Sequence, residues 1–120
     1  MTEQTSGIEK GLVLVLASDK MGQGDEVLGA LLIGKFLKTF ADIAPVPEQV
    51  VLYNSGVKLA CEGAETVSDL KALEKRGSRV FSCGTCLNYF GLPDKLRVGS
   101  LSNMHEIVGV MANAVKLVTV

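Results

Sequence analysis

Apolar positions fall into two kinds of run along this chain. Leu12-Val13-Leu14-Val15-Leu16-Ala17 is continuous, which is how a strand reads when helices cover both faces of a parallel sheet. Val50-Val51-Leu52-Tyr53, Val80-Phe81 and Val115–Val120 are further β-favouring runs and predict a second, a third and a last strand. Between them the spacing changes. Leu28, Leu31, Leu32, Phe36 and Phe40 recur at helical steps. They predict a helix opened by Asp25 and Glu26 and running to Phe40, with Lys35, Lys38 and Asp42 on its wet side. Pro45 and Pro47 forbid helix beyond it. Thr66 and Asp69 have capping-box spacing ahead of a helix over Val67–Arg76, and Gly77 stops it. Asn103 and Glu106 stand in the same relation to Met104–Met111. Thr85–Phe90 reads as a short helix closed by Gly91, and a weak extended stretch is expected around Val98.

The order is thus strand, helix, strand, helix, strand, then a short helix and a weak strand, then helix and strand. Such alternation predicts a three-layer α/β fold, a mostly parallel sheet of about five strands with helices on both faces. Ligands of such sheets bind beyond the carboxyl ends of strands, near the switch in strand order. Residues 1–10 are polar and read as a flexible N-terminal tail, and residues 11–120 as one domain. No repeat, low-complexity stretch or linker interrupts it.

Composition narrows the function classes. The 120 residues are 48% apolar and carry a formal net charge of -1, so the chain is globular and not disordered. Its Lys and Arg are scattered without a basic stripe, which argues against a nucleic-acid partner. The longest apolar runs, Leu12–Ala17 and Leu28–Ile33, fall well short of the roughly 20 residues a membrane-spanning helix needs. Three cysteines with a single CxxC do not make a secreted disulfide framework. The expected compartment is the reducing cytoplasm, where a CxxC reads as redox, sulfur-transfer or metal chemistry.

That CxxC is Cys83-Gly84-Thr85-Cys86, immediately after the third predicted strand. At the start of a helix, unpaired N–H groups and the helix dipole favour a thiolate, so Cys83 is the candidate nucleophile. Cys86 lies one helical turn on, within reach of a disulfide or a shared ligand. Gly84 removes bulk beside the thiol, and Thr85 lines the same turn. The bland alternative is a pair of cysteines acting as small buried apolar residues. Asn54 and Gly56 turn the chain after the second strand, and Asn54 is placed to donate a hydrogen bond into the crevice. Cys61 follows, either as a third thiol at the same edge or as a core residue. His105 is the only histidine, an ordinary first-turn helix residue or a proton donor near the site. A Cys3His zinc site from Cys61, Cys83, Cys86 and His105 competes, but only one close pair has zinc-module spacing. The glycine loop Ser18–Gly24 lacks both the Walker pattern and G-x-G-x-x-G, and Asp25 and Glu26 would repel a phosphate there, so no cofactor is expected. Lys20 and Lys58 are the cations that would attract an anionic sulfur species.

Three segments carry a family resemblance: Leu52-Tyr53-Asn54-Ser55-Gly56-Val57, Ser82-Cys83-Gly84-Thr85-Cys86-Leu87-Asn88-Tyr89-Phe90-Gly91-Leu92, and Ser102-Asn103-Met104. With Met21-Gly22-Gln23-Gly24-Asp25-Glu26 and Leu28-Gly29, they resemble the YedF family of sulfurtransferase-like proteins associated with selenium metabolism. The likeness runs from Gly11 to Val120. It implies a DsrE/DsrF-like fold in which the sulfur-carrying cysteine directly follows the third strand, the place of Cys83, with Cys86 particular to the YedF-like version. It also implies homo-oligomers and a TusA-like domain ahead of this one, whereas here only residues 1–10 precede the first predicted strand.

The leading expectation is therefore a sulfurtransferase-like carrier of sulfur or selenium, held as a persulfide or perselenide on Cys83. Cys86 would release it by disulfide formation or limit overoxidation. Partners would be persulfide or selenium donor and acceptor proteins, among them a TusA-like domain. The alternative is a non-catalytic oligomeric interaction module of a sulfur-relay system, and a dithiol redox protein ranks below both.

Overall fold

The computed structural model describes residues 7–120. Along the chain run β1 (Ile8–Leu16), α1 (Glu26–Phe40), β2 (Val46–Leu52), a 3-10 segment (Asn54–Ala60), α2 (Thr66–Lys75) and β3 (Arg79–Cys83). Then come α3 (Gly84–Tyr89), a 3-10 turn (Pro93–Lys95), β4 (Ser100–Ser102), α4 (Met104–Ala112) and β5 (Lys116–Thr119). The five strands form one sheet in the order β4-β3-β2-β1-β5, and every pairing is parallel. This is the α/β fold the alternation predicts.

The unbroken apolar run of β1 is explained by its central position. Successive side chains of a strand point to opposite faces. Leu14 and Leu16 enter one core with Ile33 and Leu37 of α1, Leu70 and Leu73 of α2, and Leu87 of α3. Val13 and Val15 enter the other with Val51, Phe81, Cys83 and Ile107 of α4. Three helices thus cover one face and α4 alone covers the other.

Several boundaries differ from the sequence reading. β1 begins at Ile8, inside the segment read as a tail; residues 1–6 of that segment lie outside the described residues. β2 begins at Val46 and includes Pro47, where the missing N–H costs nothing because pairing to β3 starts only at Gln49. The weak strand is Ser100–Ser102, two residues beyond Val98, which is instead buried in the core. Thr66 does not cap α2: it is the first helical residue, and its hydroxyl donates to the Leu59 carbonyl at 2.7 Å. Asn103 does cap α4, accepting from the Glu106 N–H at 2.9 Å, and Asp25 caps α1 through the Leu28 N–H at 2.8 Å. In α1 the buried residues are Gly29, Ile33 and Leu37, with Phe36 and Phe40 half-buried against them. Leu28, Leu31 and Leu32, read from their spacing as the inner stripe, are exposed.

Candidate thiol site

The sheet positions the site at its carboxyl edge, though not where strand order reverses. That reversal lies between β1 and β5, whereas the cysteines follow β3, two strands away. β3 ends at Cys83 and α3 starts at Gly84, with no residue between. The junction is tight. A Cβ on Gly84 would stand 3.1 Å from the Ser102 carbonyl oxygen of β4, closer than a side chain comfortably sits. Gly56 does the same for the neighbouring turn: a Cβ there would fall 2.1 Å from the Leu16 carbonyl oxygen at the end of β1. Both glycines let backbone approach backbone around the site.

Cys83 points down from the edge into the α4-covered core, beside Phe81 and Ile107, and is only 1% exposed. Cys86, in the first turn of α3, is half-buried and packs against both cores, so it lies over the end of the sheet. Its sulfur accepts a hydrogen bond from the Asn54 backbone N–H at 3.0 Å. It also opens on a concavity of about 430 Å3 lined by Asn54, Thr85, Cys86, Tyr89 and Phe90. The Lys58 ammonium stands 4.4 Å from the centre of the Phe90 ring, a positive charge held against a residue that lines the concavity. All three cysteines are free thiols.

Burial pushes the Cys86 thiol above its ordinary value; the Asn54 N–H works against this, and the adjacent Cys83 thiol adds to it. Cys86 packs against the cluster that contains Cys83. A hydrogen bond to an anionic sulfur is stronger than one to a neutral thiol. The Asn54 N–H thus offsets part of the burial that otherwise favours the neutral thiol at Cys86.

Of the residues singled out in the sequence, Asn54, Thr85 and Cys86 meet at the concavity, and Cys83 is buried in the cluster that Cys86 packs against. The crevice hydrogen bond read for Asn54 is made by its backbone; its side chain turns back to accept from the Ser55 N–H at 2.8 Å. Cys61 is not at this edge. The 3-10 segment turns it into the core, where it is 2% exposed and its thiol donates to the Val57 carbonyl at 3.2 Å. Burial pushes that thiol up, and Arg97 partly offsets it. His105 is exposed in the first turn of α4 and does not line the concavity. Among the described residues no three His, Cys, Asp or Glu side chains converge as a metal ion requires, so Cys61, Cys83, Cys86 and His105 do not form the zinc site weighed above. Lys20 is paired with Asp19 at 3.2 Å, and Lys58 does not line the concavity but stacks on Phe90, which does. The glycine loop borders it through the Asp19 N–H, which donates to Ser55 at 3.2 Å. Sequence reasoning missed Tyr89 and Phe90 as lining. The signal was their position one helical turn beyond Thr85 and Cys86.

The comparisons with known proteins agree with this architecture. No curated protein is similar enough in sequence to count as a match. Among solved structures, the ychN protein from E. coli has a TM-score of 0.63 at 18% identity, covering 91% of this chain and 97% of its own. MTH1491 from Methanobacterium thermoautotrophicum, a protein of unknown function, has a TM-score of 0.63 at 24% identity with the same coverage. BT1422 from Bacteroides thetaiotaomicron, also of unknown function, has a TM-score of 0.60 at 10% identity over 100% of both chains. At those identities the likeness is one of fold. The DsrE/DsrF-like family profile, by contrast, matches residues 8–120, from the first residue of β1 to the end of the chain, and so the chain belongs to the DsrE/DsrF-like family.

Proposed function

We propose that this protein is a sulfur or selenium carrier of the YedF-like kind, working in a reducing cytoplasm, which holds the chalcogen as a persulfide or perselenide on the Cys83–Cys86 pair. Membership of a family associated with sulfur relay supports the general assignment. The observation that carries it is the pair of free thiols at the carboxyl end of β3, one buried in the α4-covered core and the other packed against that core and open to a concavity. In the loading step a cysteine thiolate attacks the outer sulfur of a donor persulfide. A new S–S bond forms, the donor's S–S bond breaks, and the donor leaves as a thiolate. Cys83, sheltered beside Phe81 and Ile107, is the storage position, where burial protects a reactive perthiol from oxidants. Unloading is the same displacement in reverse, onto an acceptor thiol such as that of a TusA-like domain. The test is intact mass after reduced protein meets a persulfide donor. Wild type gains sulfur, and a Cys83→Ser/Cys86→Ser double variant gains none. Equal masses for the two proteins would overturn the assignment.

A second reading is favoured by α1. Val27 is 82% and Leu31 56% exposed on a helix whose other side fills the core. Here the domain is an interaction module and its partner a second copy. Pairing of two α1 helices would cover these apolar side chains. Sedimentation of wild type beside Leu31→Glu tests it: the variant dissociates, and a monomeric wild type would end this reading.

A further inference from the structure

We infer that Cys86 is the thiol that takes sulfur from the donor, and that it passes the sulfur inward to Cys83. This rests on the carrier reading above and assigns an order to its two thiols. Displacement at sulfur requires the attacking sulfur, the transferred sulfur and the leaving sulfur to lie in a line. The donor's own carbon chain must therefore extend outward along that line. Cys83 offers no such approach: it is 1% exposed and does not line the concavity. Cys86 does line it, with open space bounded by Thr85, Tyr89 and Phe90. Two further groups suit Cys86 to the first displacement. The Asn54 N–H meets its sulfur at 3.0 Å and stabilises negative charge there. Lys58, seated on the Phe90 ring, adds positive charge behind one of the lining residues, which favours approach of an anionic perthiolate. Cys86 packs against the cluster that holds Cys83, so the half-buried and the buried thiol share one apolar environment.

The two steps balance without an oxidant or reductant. First, the Cys86 thiolate attacks the outer sulfur of the donor persulfide. The Cys86–sulfur bond forms, the donor's S–S bond breaks, and its electron pair leaves on the donor thiolate, which takes up the proton Cys86 gave away. Next, rotation about the Cys86 Cβ–Sγ bond swings the outer sulfur inward, and Cys83, giving up its own proton, attacks that same transferred sulfur from the side opposite Cys86. The Cys83–sulfur bond forms, the bond to Cys86 breaks, and Cys86 leaves as a thiolate that recovers a proton. One sulfur has moved inward: Cys86 ends as the thiol it began as, Cys83 ends as the persulfide, and the donor's inner sulfur, which left as a thiolate, takes the electron pair that balances it.

The experiment compares wild type, Cys83→Ser, Cys86→Ser and Cys86→Ala, each incubated with glutathione persulfide, trapped by alkylation and mapped by fragment mass spectrometry. Wild type shows added sulfur on Cys86 at early times and on Cys83 later. Cys83→Ser still loads, on Cys86 alone, and both Cys86 variants lose loading. Inorganic disulfide, small enough to reach a buried sulfur during local opening, restores loading at Cys83 in the Cys86 variants and so shows that Cys83 is still reactive, while an unfolded variant would expose Cys83 and load from both donors. Wild-type loading accompanied by equal loading of the Cys86 variants from glutathione persulfide would overturn the order while leaving the carrier intact. A wild type that takes sulfur from neither donor would overturn the carrier and this order with it.

Discussion

The backbone N–H of Asn54 donates to the sulfur of Cys86 at 3.0 Å, joining the turn after β2 to the helix after β3. That contact depends on an unusual backbone. Asn54 has φ 53, the left-handed region that most side chains avoid and asparagine tolerates. Glycine keeps the conformation and the N–H, whereas alanine opposes the conformation by roughly 1–2 kcal/mol. Asn54→Gly is expected to alkylate at Cys86 at the wild-type rate. Asn54→Ala is expected to lose about 1 kcal/mol in denaturant unfolding and to alkylate more slowly at neutral pH. Equal rates for all three proteins would detach the reactivity of Cys86 from this contact.

Gly56 tests how the same edge is assembled. Its missing Cβ leaves room for the Leu16 carbonyl, which a methyl group would approach to 2.1 Å. Backbone cannot give way as a flexible side chain can, so Gly56→Ala is expected to cost about 3 kcal/mol, the upper end of ordinary overpacking. Gly34, in the middle of α1 with nothing within 4 Å of where a Cβ would stand, is the contrast. There alanine is expected to stabilise by about 0.8 kcal/mol through helix propensity. Urea midpoints of the two variants should move in opposite directions.

Stability should fall at alkaline pH. Burial holds the Cys61 and Cys86 thiols above their ordinary value, with Arg97 and the Asn54 N–H acting in the opposite sense. Between the ordinary value and the raised ones, the unfolded chain has released protons that the folded chain keeps. The contribution is therefore whole below the ordinary thiol value and is lost as pH rises through the raised folded values. Cys61→Ala should flatten that decline, read from urea midpoints against pH, while leaving sulfur loading unchanged, because Cys61 sits in the core. An unaltered slope would show that Cys61 is not responsible.

The parts of the fold legible in sequence were those with one physical cause. Leu12–Ala17 could only be a strand covered on both faces, and Asn103 and Glu106 marked the start of α4 by local chemistry. Cys83 and Cys86 were visible as a pair at a strand-to-helix junction, which also anchored the family resemblance. The misreadings arose where a local pattern is degenerate. α1 is apolar nearly all round, so Leu28, Leu31 and Leu32 have spacing as good as that of Gly29, Ile33 and Leu37, and only packing decides which side turns inward. Thr66 has the spacing of a cap, but a long-range bond to Leu59 claims its hydroxyl. The relative exposure of the two site thiols follows from strand alternation at Cys83 and helix phase at Cys86. Neither is fixed until β4 and α4 close the edge.

The most direct measurement of the central claim is the sulfur that cyanide releases from persulfide-treated, desalted protein. Cyanide attacks the outer sulfur of a cysteine persulfide, leaving as thiocyanate and returning the cysteine thiolate, so each thiocyanate reports one carried sulfur. A carrier on the Cys83–Cys86 pair predicts thiocyanate equimolar with wild-type chain and none from Cys83→Ser/Cys86→Ser. Thiocyanate absent from wild type, or present equally in the double variant, would contradict it.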